Sequence, residues 1–204
     1  MTTDTTYNYR VVRQFTWAAI LFAIIGMLVG VIIAAQLRWP TLFGGIDILL
    51  SNAGIGIAGP FLDSTMETYD VQMDTNVRSS YAFCLHAVPE MIKKEESQLI
   101  IVSSVTGING HVMEVAYSAT KFANRGMAQA LNREFREQGL KVCTLCPSAT
   151  NTEFQVGAGR TREGNDARLM LLPQDLADAV VFICKQSKGT SRVMEMTLAS
   201  MSGD

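Results

Sequence analysis

A chain of 204 residues is long enough for one ordinary domain with a sizeable core, and its 48% hydrophobic content is typical of a globular protein. Its 17 basic and 19 acidic residues give a formal net charge of −2, so the sequence offers no basic surface that would neutralise phosphates, and we expect no nucleic-acid partner. Four scattered cysteines are too few for a disulfide framework and are expected to be buried thiols in a reducing compartment.

The first predicted element is a membrane-type helix over residues 16–37, TWAAILFAIIGMLVGVIIAAQL. This run carries no charge, and a helix needs about 20 apolar residues to cross the hydrocarbon core of a bilayer. Tryptophans lie near both of its ends, as interfacial aromatic residues do, and Arg10, Arg13 and Arg38 flank it. We therefore expect a single-pass membrane anchor. A buried core helix or an uncleaved signal is the alternative.

After Pro40 the sequence alternates between short apolar strand signals and helix signals. We expect the chain to divide there, into residues 1–43 and residues 44–204. Short apolar strands that alternate with helices predict an α/β fold, a doubly wound parallel sheet covered on both faces. The predicted strands are 46–50, 99–103, 141–146 and 193–198, and the predicted helices are 64–77 (continuing or restarting to 88), 114–138 and 174–185.

A glycine-rich stretch, GIGIAG at Gly54–Gly59, follows the first predicted strand and spells G-x-G-x-x-G, the fingerprint of a pyrophosphate-binding loop. Such a loop opens directly into a helix and is followed about 20 residues later by an acidic residue at the end of a second strand. Here the helix is predicted to start later, at an Asp63/Ser64 cap, and residues 74–79 are predicted to be helical. We interpret the match as accidental, with the glycines forming a tight loop.

Several short motifs then follow one another along residues 46–204. They are NAG at Asn52, Ala53 and Gly54, MDTNV with Asn76, IVSSVTG with Ser104, YSATK with Tyr117 and Lys121, and CPSATNT with Pro147 and Thr152. As an ordered set these motifs resemble the signature of the short-chain dehydrogenase/reductase family. A bare Tyr-x-x-x-Lys is weak evidence, so the resemblance depends on the 13-residue gap from Ser104 to Tyr117, with a strand before it and a helix around the tyrosine.

The resemblance implies hydride transfer between NAD or NADP and a small-molecule carbonyl or alcohol, without a metal. Tyr117 and Lys121 lie one helical turn apart, so the ammonium can sit near the phenol. A phenol has a pKa of about 10, and a neighbouring cation favours the phenolate. Tyr117 can then act as the acid that protonates a carbonyl oxygen, or as the base in the reverse direction. Ser104 would donate a hydrogen bond to the same oxygen.

The remaining roles come from the resemblance alone. In the family the lysine also holds the nicotinamide ribose, and the asparagine keeps a water in a proton relay; these roles fall to Lys121 and Asn76. The further cofactor contacts are expected from Asn52, Ala53, Gly54, Pro147 and Thr152.

Two other chemistries are weighed and set aside. Cys143 and Cys146 form a C-x-x-C pair, but they lie in a predicted strand, where residues three apart point to opposite faces, so we do not expect a redox pair. His86 and His111 have no partners at metal-ligand spacing, and we expect no metal site.

A complete family member carries three strands and three helices before the NAG strand, including the glycine-rich turn for the pyrophosphate. Residues 1–43 do not resemble that half. They resemble the first transmembrane helix of the haem-copper catalytic subunit of a cbb-type cytochrome c oxidase, without a haem or copper ligand. We therefore expect an incomplete Rossmann-like sheet preceded by one transmembrane-type helix, weak cofactor binding, and a truncated, fused origin.

Three hypotheses follow from this sequence. The first is an impaired oxidoreductase whose reductase-like part lies on the cytoplasmic side of the membrane, although the arginines around the apolar run slightly favour the opposite orientation. The second is a membrane-anchored fragment in which the oxidase-like helix is the relevant part. The third is a non-enzymatic module that pairs the open edge of strand 46–50 with a second copy or another polypeptide.

Overall fold

The computed structural model describes residues 45–155, 168–186, 189 and 191–201. The predicted membrane helix at 16–37 and the tail around it lie outside these residues, and the division of the chain into 1–43 and 44–204 stays a prediction. Within the described ranges, no helix is both long enough and apolar enough to cross a membrane.

Four parallel strands form one sheet in the order β1-β2-β3-β4. Every residue of β2 is buried, as the apolar run at residues 99–102 within it predicts for a central parallel strand. The predicted parallel sheet is thus confirmed. The strands are β1 Ile48–Ser51, β2 Ser97–Val102, β3 Leu140–Pro147 and β4 Glu195–Leu198.

Helices connect successive strands, as the predicted alternation requires. The predicted helix at 64–88 consists of two α-helices joined by a π-helical turn, Asp74–Arg78. The helices are α1 Met66–Met73, α2 Ser79–Met91, α3 Val115–Phe135 and α4 Pro173–Cys184.

The ends of these helices follow from local side-chain chemistry. The predicted Asp63/Ser64 cap is wrong: Thr65 caps α1 in a reciprocal capping box with Thr68, because its hydroxyl accepts the Thr68 N–H and its own N–H binds the Thr68 hydroxyl. After α3 a short 3₁₀ turn ends at Gly139, whose φ of 83° is the left-handed conformation that glycine adopts most easily.

Apolar side chains pack on both faces of the sheet, which confirms the doubly wound arrangement. Alternate residues of β2 and β3 supply the two faces, because side chains along a strand alternate in direction. Helices α2 and α3 cover one face and α4 covers the other. The first cluster contains Cys84, Ala87, Val88, Met91, Leu99, Ile101, Ala128, Leu140 and Val142, and the second contains Ile100, Val102, Cys143, Leu145, Ala179 and Ile183.

Strand β1 lies at an edge of the described sheet and is covered unevenly. Leu49 packs against the first cluster, whereas Ile48 and Leu50, which point to the opposite face, are exposed. Among the described strands, only β2 pairs with β1. The prediction of an edge at this strand therefore holds for the part of the chain that the structure describes.

Candidate active site

A cavity of about 1170 Å³ opens at the carboxyl ends of β1, β2 and β3. Parallel strands bring the residues that follow them to one edge of the sheet, and this is where ligands bind in open α/β folds. Of the nine residues that the sequence nominates as catalytic residues or cofactor contacts, only Asn76 does not line this cavity; the nominated lining residues are Asn52, Ala53, Gly54, Ser104, Tyr117, Lys121, Pro147 and Thr152.

Lys121 is nominated both as a catalytic residue and as a cofactor contact. Helix α3 places it beside Tyr117: their spacing of four residues puts both on the face that packs against the sheet, and both side chains are buried. The Lys121 Nζ atom lies 5.5 Å from the centre of the Tyr117 ring and donates a hydrogen bond of 3.1 Å to the Val102 carbonyl at the end of β2. The ammonium is thus held next to the phenol.

Ser104 reaches the same cavity from the turn after β2. It caps a 3₁₀ turn, Val105–Gly107, and its hydroxyl accepts the Thr106 N–H at 3.1 Å. The same hydroxyl donates to the Pro147 carbonyl at 3.4 Å, which is a long hydrogen bond. The Ser104 hydroxyl can therefore donate to a substrate oxygen instead at a small cost in free energy.

Asn76 lies behind the cavity, in the π-helical turn, and is fully buried. Its Oδ1 accepts the Ile55 N–H at 2.8 Å, and its Nδ2 donates to the Ile55 carbonyl at 2.8 Å and to the Thr120 hydroxyl at 3.0 Å. Both amide protons are therefore used, and the side chain ties the loop after β1 to helix α3. The water relay expected of Asn76 stays a prediction.

Gly54 shows why the loop after β1 needs a small residue. A Cβ atom built at this position would lie 3.2 Å from Asn76 Oδ1 and 3.6 Å from Lys121 Nζ. The first distance is tighter than most contacts of a Cβ atom, so the Asn76 side chain would have to shift, whereas the second is an ordinary van der Waals contact. The glycine in Asn52-Ala53-Gly54 thus lets the backbone approach the Asn76 side chain closely.

The rest of the GIGIAG stretch runs across the surface of α1 and does not open into a helix. The Ile57 N–H binds Gln72 Oε1 at 2.9 Å, and the Gly59 N–H binds the Met113 carbonyl at 2.8 Å. Helix α1 begins only at Met66, after a separate 3₁₀ turn. These observations agree with the expected loop, and the absence of pyrophosphate binding there stays a prediction.

Four functional neighbours were not found from the sequence. Ser103 donates to the Lys121 carbonyl at 2.8 Å, and Thr120 donates to the Tyr117 carbonyl at 2.8 Å. Gly107 makes room for α3, and the Phe154 ring lies 6.0 Å from the Tyr117 ring. Ser103, Gly107 and Thr120 belong to the SSVTG and YSATK motifs, whose small residues could have signalled close packing. Phe154 carries no signal of this kind.

Three of the four cysteines, Cys84, Cys143 and Cys146, are buried thiols as expected, whereas Cys184 is half-buried. Cys143 packs in the second cluster, under α4, whereas Cys146 lies toward α3, where its thiol interacts with Ser103 and Arg125, so the two point to opposite faces. Burial raises the pKa of Cys143 to about 12 and that of Cys146 to about 11. Thiols of this kind are poor nucleophiles at neutral pH.

The sequence profile of the short chain dehydrogenase family matches residues 33–163. This chain belongs to that family. The match begins inside the apolar run at 16–37, earlier than the start at residue 46 expected from the motifs.

Similar curated proteins are oxidoreductases. An uncharacterized oxidoreductase of Staphylococcus aureus (strain USA300) is 30% identical over 156 residues, which are 76% of this chain and 65% of that protein. Oxidoreductase UcpA of Salmonella typhimurium is 32% identical over 139 residues, which are 68% of this chain and 53% of that protein. The matched region therefore spans less than two thirds of either relative.

Solved structures share the fold. The structure of ElxO with NADP bound has a TM-score of 0.71 and 21% identity, and the match covers 82% of this chain and 70% of that one. An alcohol dehydrogenase from the archaeon Thermococcus sibiricus, complexed with 5-hydroxy-NADP, has a TM-score of 0.70 and 21% identity, covering 80% of this chain and 66% of that one. These two proteins thus share the Rossmann-like parallel sheet of this chain.

Proposed function

We propose that the cavity at the ends of β1, β2 and β3 is a carbonyl reductase or alcohol dehydrogenase site. The observation that carries this proposal is that Ser104, Tyr117 and Lys121 line one cavity, with the Lys121 ammonium 5.5 Å from the Tyr117 ring. Membership of the short chain dehydrogenase family supports it. The substrate is a small-molecule carbonyl compound or alcohol.

Each of the three side chains has one task in the proposed reaction. Tyr117 gives its phenolic proton to the carbonyl oxygen, or takes a proton from the alcohol in the reverse direction. Lys121 stabilises the phenolate that remains, because an opposite charge nearby favours the ionised form. Ser104 donates its hydrogen bond to the substrate oxygen, where negative charge develops.

The residues around the lysine fit the nicotinamide and ribose end of NAD or NADP. Gly54 leaves an approach to Lys121 that a Cβ atom would narrow, and Asn52, Pro147 and Thr152 line the same space. The cofactor, when bound, supplies the hydride. No metal is part of this proposal.

We further propose that the 204-residue polypeptide binds either cofactor weakly. A pyrophosphate is usually held by a glycine-rich turn that opens into a helix N-terminus, and within the described residues GIGIAG is followed by a loop instead. Binding energy from the pyrophosphate would then be missing. Solved proteins of the fold carry NADP or NADH, so both cofactors need to be tested.

The test is ketone reduction measured by consumption of NADH and of NADPH. We expect negligible turnover by the purified 204-residue chain. We expect partial turnover when residues 1–45 are replaced by the first three strands and their helices from a complete short chain dehydrogenase. Robust turnover by the unmodified chain that Tyr117→Phe abolishes would refute weak binding and would show that GIGIAG, or another segment, holds the pyrophosphate.

A membrane location is proposed on the sequence alone. The uncharged run at 16–37 would anchor the chain, as the resemblance to an oxidase transmembrane helix implies, with the reductase part on the cytoplasmic side if it is functional. Alkaline carbonate extraction tests this anchor. Recovery of the full-length chain in the soluble fraction would exclude a spanning helix.

Edge pairing is a second candidate function, favoured by the exposed Ile48 and Leu50 on edge strand β1. A second copy of this chain, or another polypeptide that supplies a strand, would cover them. Native mass spectrometry of the wild type and of an Ile48→Lys variant is the test. A monomer in both samples would rule out self-pairing.

A further inference from the structure

Three apolar side chains are exposed in the cavity that also contains Tyr117, the proposed acid. Val112 is 76% exposed, Met113 is 51% exposed and Phe154 is 38% exposed, and all three line the cavity that contains Tyr117. We call these three residues the apolar rim. Exposed apolar residues are common singly, but a group of them inside one cavity marks a surface that a ligand can cover.

The backbone holds two of the rim residues in place. Met113 has a φ of 61°, a left-handed conformation that is uncommon for a residue other than glycine. Its carbonyl accepts the Gly59 N–H at 2.8 Å, and the His111 N–H binds the Ser118 hydroxyl at 3.3 Å. Unfavourable backbone conformations of this kind persist only where the surroundings impose them, and they cluster at functional sites. The turn therefore presents Val112 and Met113 to the cavity.

The third rim residue, Phe154, contacts the tyrosine through its ring. The Phe154 ring lies 6.0 Å from the Tyr117 ring, and the two planes are inclined by 51°. Aromatic rings at this separation and tilt attract one another, and a third ring can join them edge to face. The methionine thioether adds a polarizable group that packs well against aromatic rings.

We infer that the substrate carries an aromatic or similarly bulky apolar group on its reacting carbonyl carbon. This inference rests on the proposed function, which puts the carbonyl oxygen at Tyr117. A group attached to that carbon then lies in the cavity that Phe154 and Met113 line, where the Phe154 ring is 6.0 Å from the Tyr117 ring. A small aliphatic ketone would leave the apolar rim uncovered and would gain little from it.

Binding of two ketones to the full 204-residue chain tests the inference without requiring turnover. The probes are acetophenone and acetone, and the readout is the dissociation constant from ligand-observed NMR. We expect acetophenone to bind at least roughly tenfold more tightly, because one well-filled apolar pocket discriminates by factors of about 10 to 200. Equal affinities for the two ketones would overturn the inference.

Single-residue variants distinguish the loss of a contact with the ligand from a loss of folding. Phe154→Ala and Met113→Gly should each weaken acetophenone binding by roughly tenfold. Met113→Gly should not lower thermal stability, since glycine adopts the left-handed conformation without strain. Phe122→Ala is the matched control: this aromatic residue is similarly exposed but does not line the cavity, and its loss should leave binding unchanged. Unchanged binding in Phe154→Ala would overturn the inference.

The proposed function and this inference fail separately. If the chain with the grafted N-terminal strands reduces both ketones with similar kcat/KM, the proposed function stands and the inference is overturned. If no ketone is reduced, but acetophenone binding depends on Phe154 and Met113, the proposed function fails, whereas binding of an aromatic group by the apolar rim stands.

Discussion

Gly107 allows the turn after β2 to touch helix α3. A Cβ atom at this position would lie 2.3 Å from the Ser103 hydroxyl and 2.8 Å from the Lys121 carbonyl oxygen. The second contact is to backbone, which cannot move without shifting the helix that carries Tyr117 and Lys121. Gly107 thus sets the distance between the turn after β2, which carries Ser104, and the helix that carries Tyr117 and Lys121.

Gly107→Ala should therefore lower the free energy of unfolding by about 2–4 kcal/mol, as overpacked sites do. Gly126→Ala is the control, because a Cβ atom there meets nothing within 4 Å and the position is inside α3. Alanine should stabilise that helix by about 0.5–1 kcal/mol. Urea denaturation of both variants is the measurement, and equal effects would show that Gly107 is not in close contact.

Asn76 is the second residue whose environment makes a definite prediction. Asn76→Ala removes three hydrogen bonds and leaves the Ile55 N–H and carbonyl without their partner, which should cost about 2–3 kcal/mol. Ser79→Ala, in the next turn, removes one hydrogen bond within the helix and should cost less than about 0.5 kcal/mol. Amide exchange at Ile55 should accelerate only in the first variant. Unchanged exchange there would contradict the hydrogen bonds between Asn76 and Ile55.

At the scale of elements, the sequence determines the strands and most of the helices. Short apolar runs and their alternation with helices were sufficient to predict β1 to β4 and their parallel pairing. The π-helical turn at Asp74–Arg78 could not be predicted, because one extra residue per turn does not alter the apolar pattern of a helix enough to be seen. The cap at Thr65 was missed because Asp63 and Ser64 are equally good capping residues.

The same limit applies to the site. Residues proposed to contact the reacting groups have chemistry that a motif reveals, and so Ser104, Tyr117 and Lys121 could be nominated and do line one cavity. Residues proposed to contact the substrate through their shape alone, such as Met113 and Phe154, belong to no motif that a single sequence reveals. Their position depends on a backbone conformation and on a ring contact between segments 37 residues apart, from Tyr117 to Phe154.

The buried thiols affect the stability of the molecule as a whole. Burial raises the pKa of Cys143 from its ordinary value of 9.0 to about 12, and of Cys84 and Cys146 to about 11. In the unfolded chain these thiols lose their protons first as the pH rises. Their contribution to stability is therefore complete below pH 9 and is lost between pH 9 and about 11 to 12.

A variant isolates this effect from other groups that titrate at alkaline pH. From about pH 8 to about pH 10.5, the wild type should lose on the order of 1–2 kcal/mol more unfolding free energy than Cys143→Val. Urea denaturation at both pH values is the measurement. Equal losses of unfolding free energy in the two proteins would show that burial does not raise the pKa of Cys143.

For the whole protein, the proposed roles of Tyr117, Lys121 and Ser104 are tested most directly by following deuterium from [4-²H]NADH or [4-²H]NADPH into the alcohol carbon of a reduced ketone. The protein is the chain with residues 1–45 replaced by the N-terminal strands of a complete short chain dehydrogenase. We expect deuterium transfer that Tyr117→Phe slows by roughly 10²–10⁴-fold, as the loss of a general acid does. Lys121→Met and Ser104→Ala should also slow it. Transfer at the full rate by Tyr117→Phe would contradict the proposed active site.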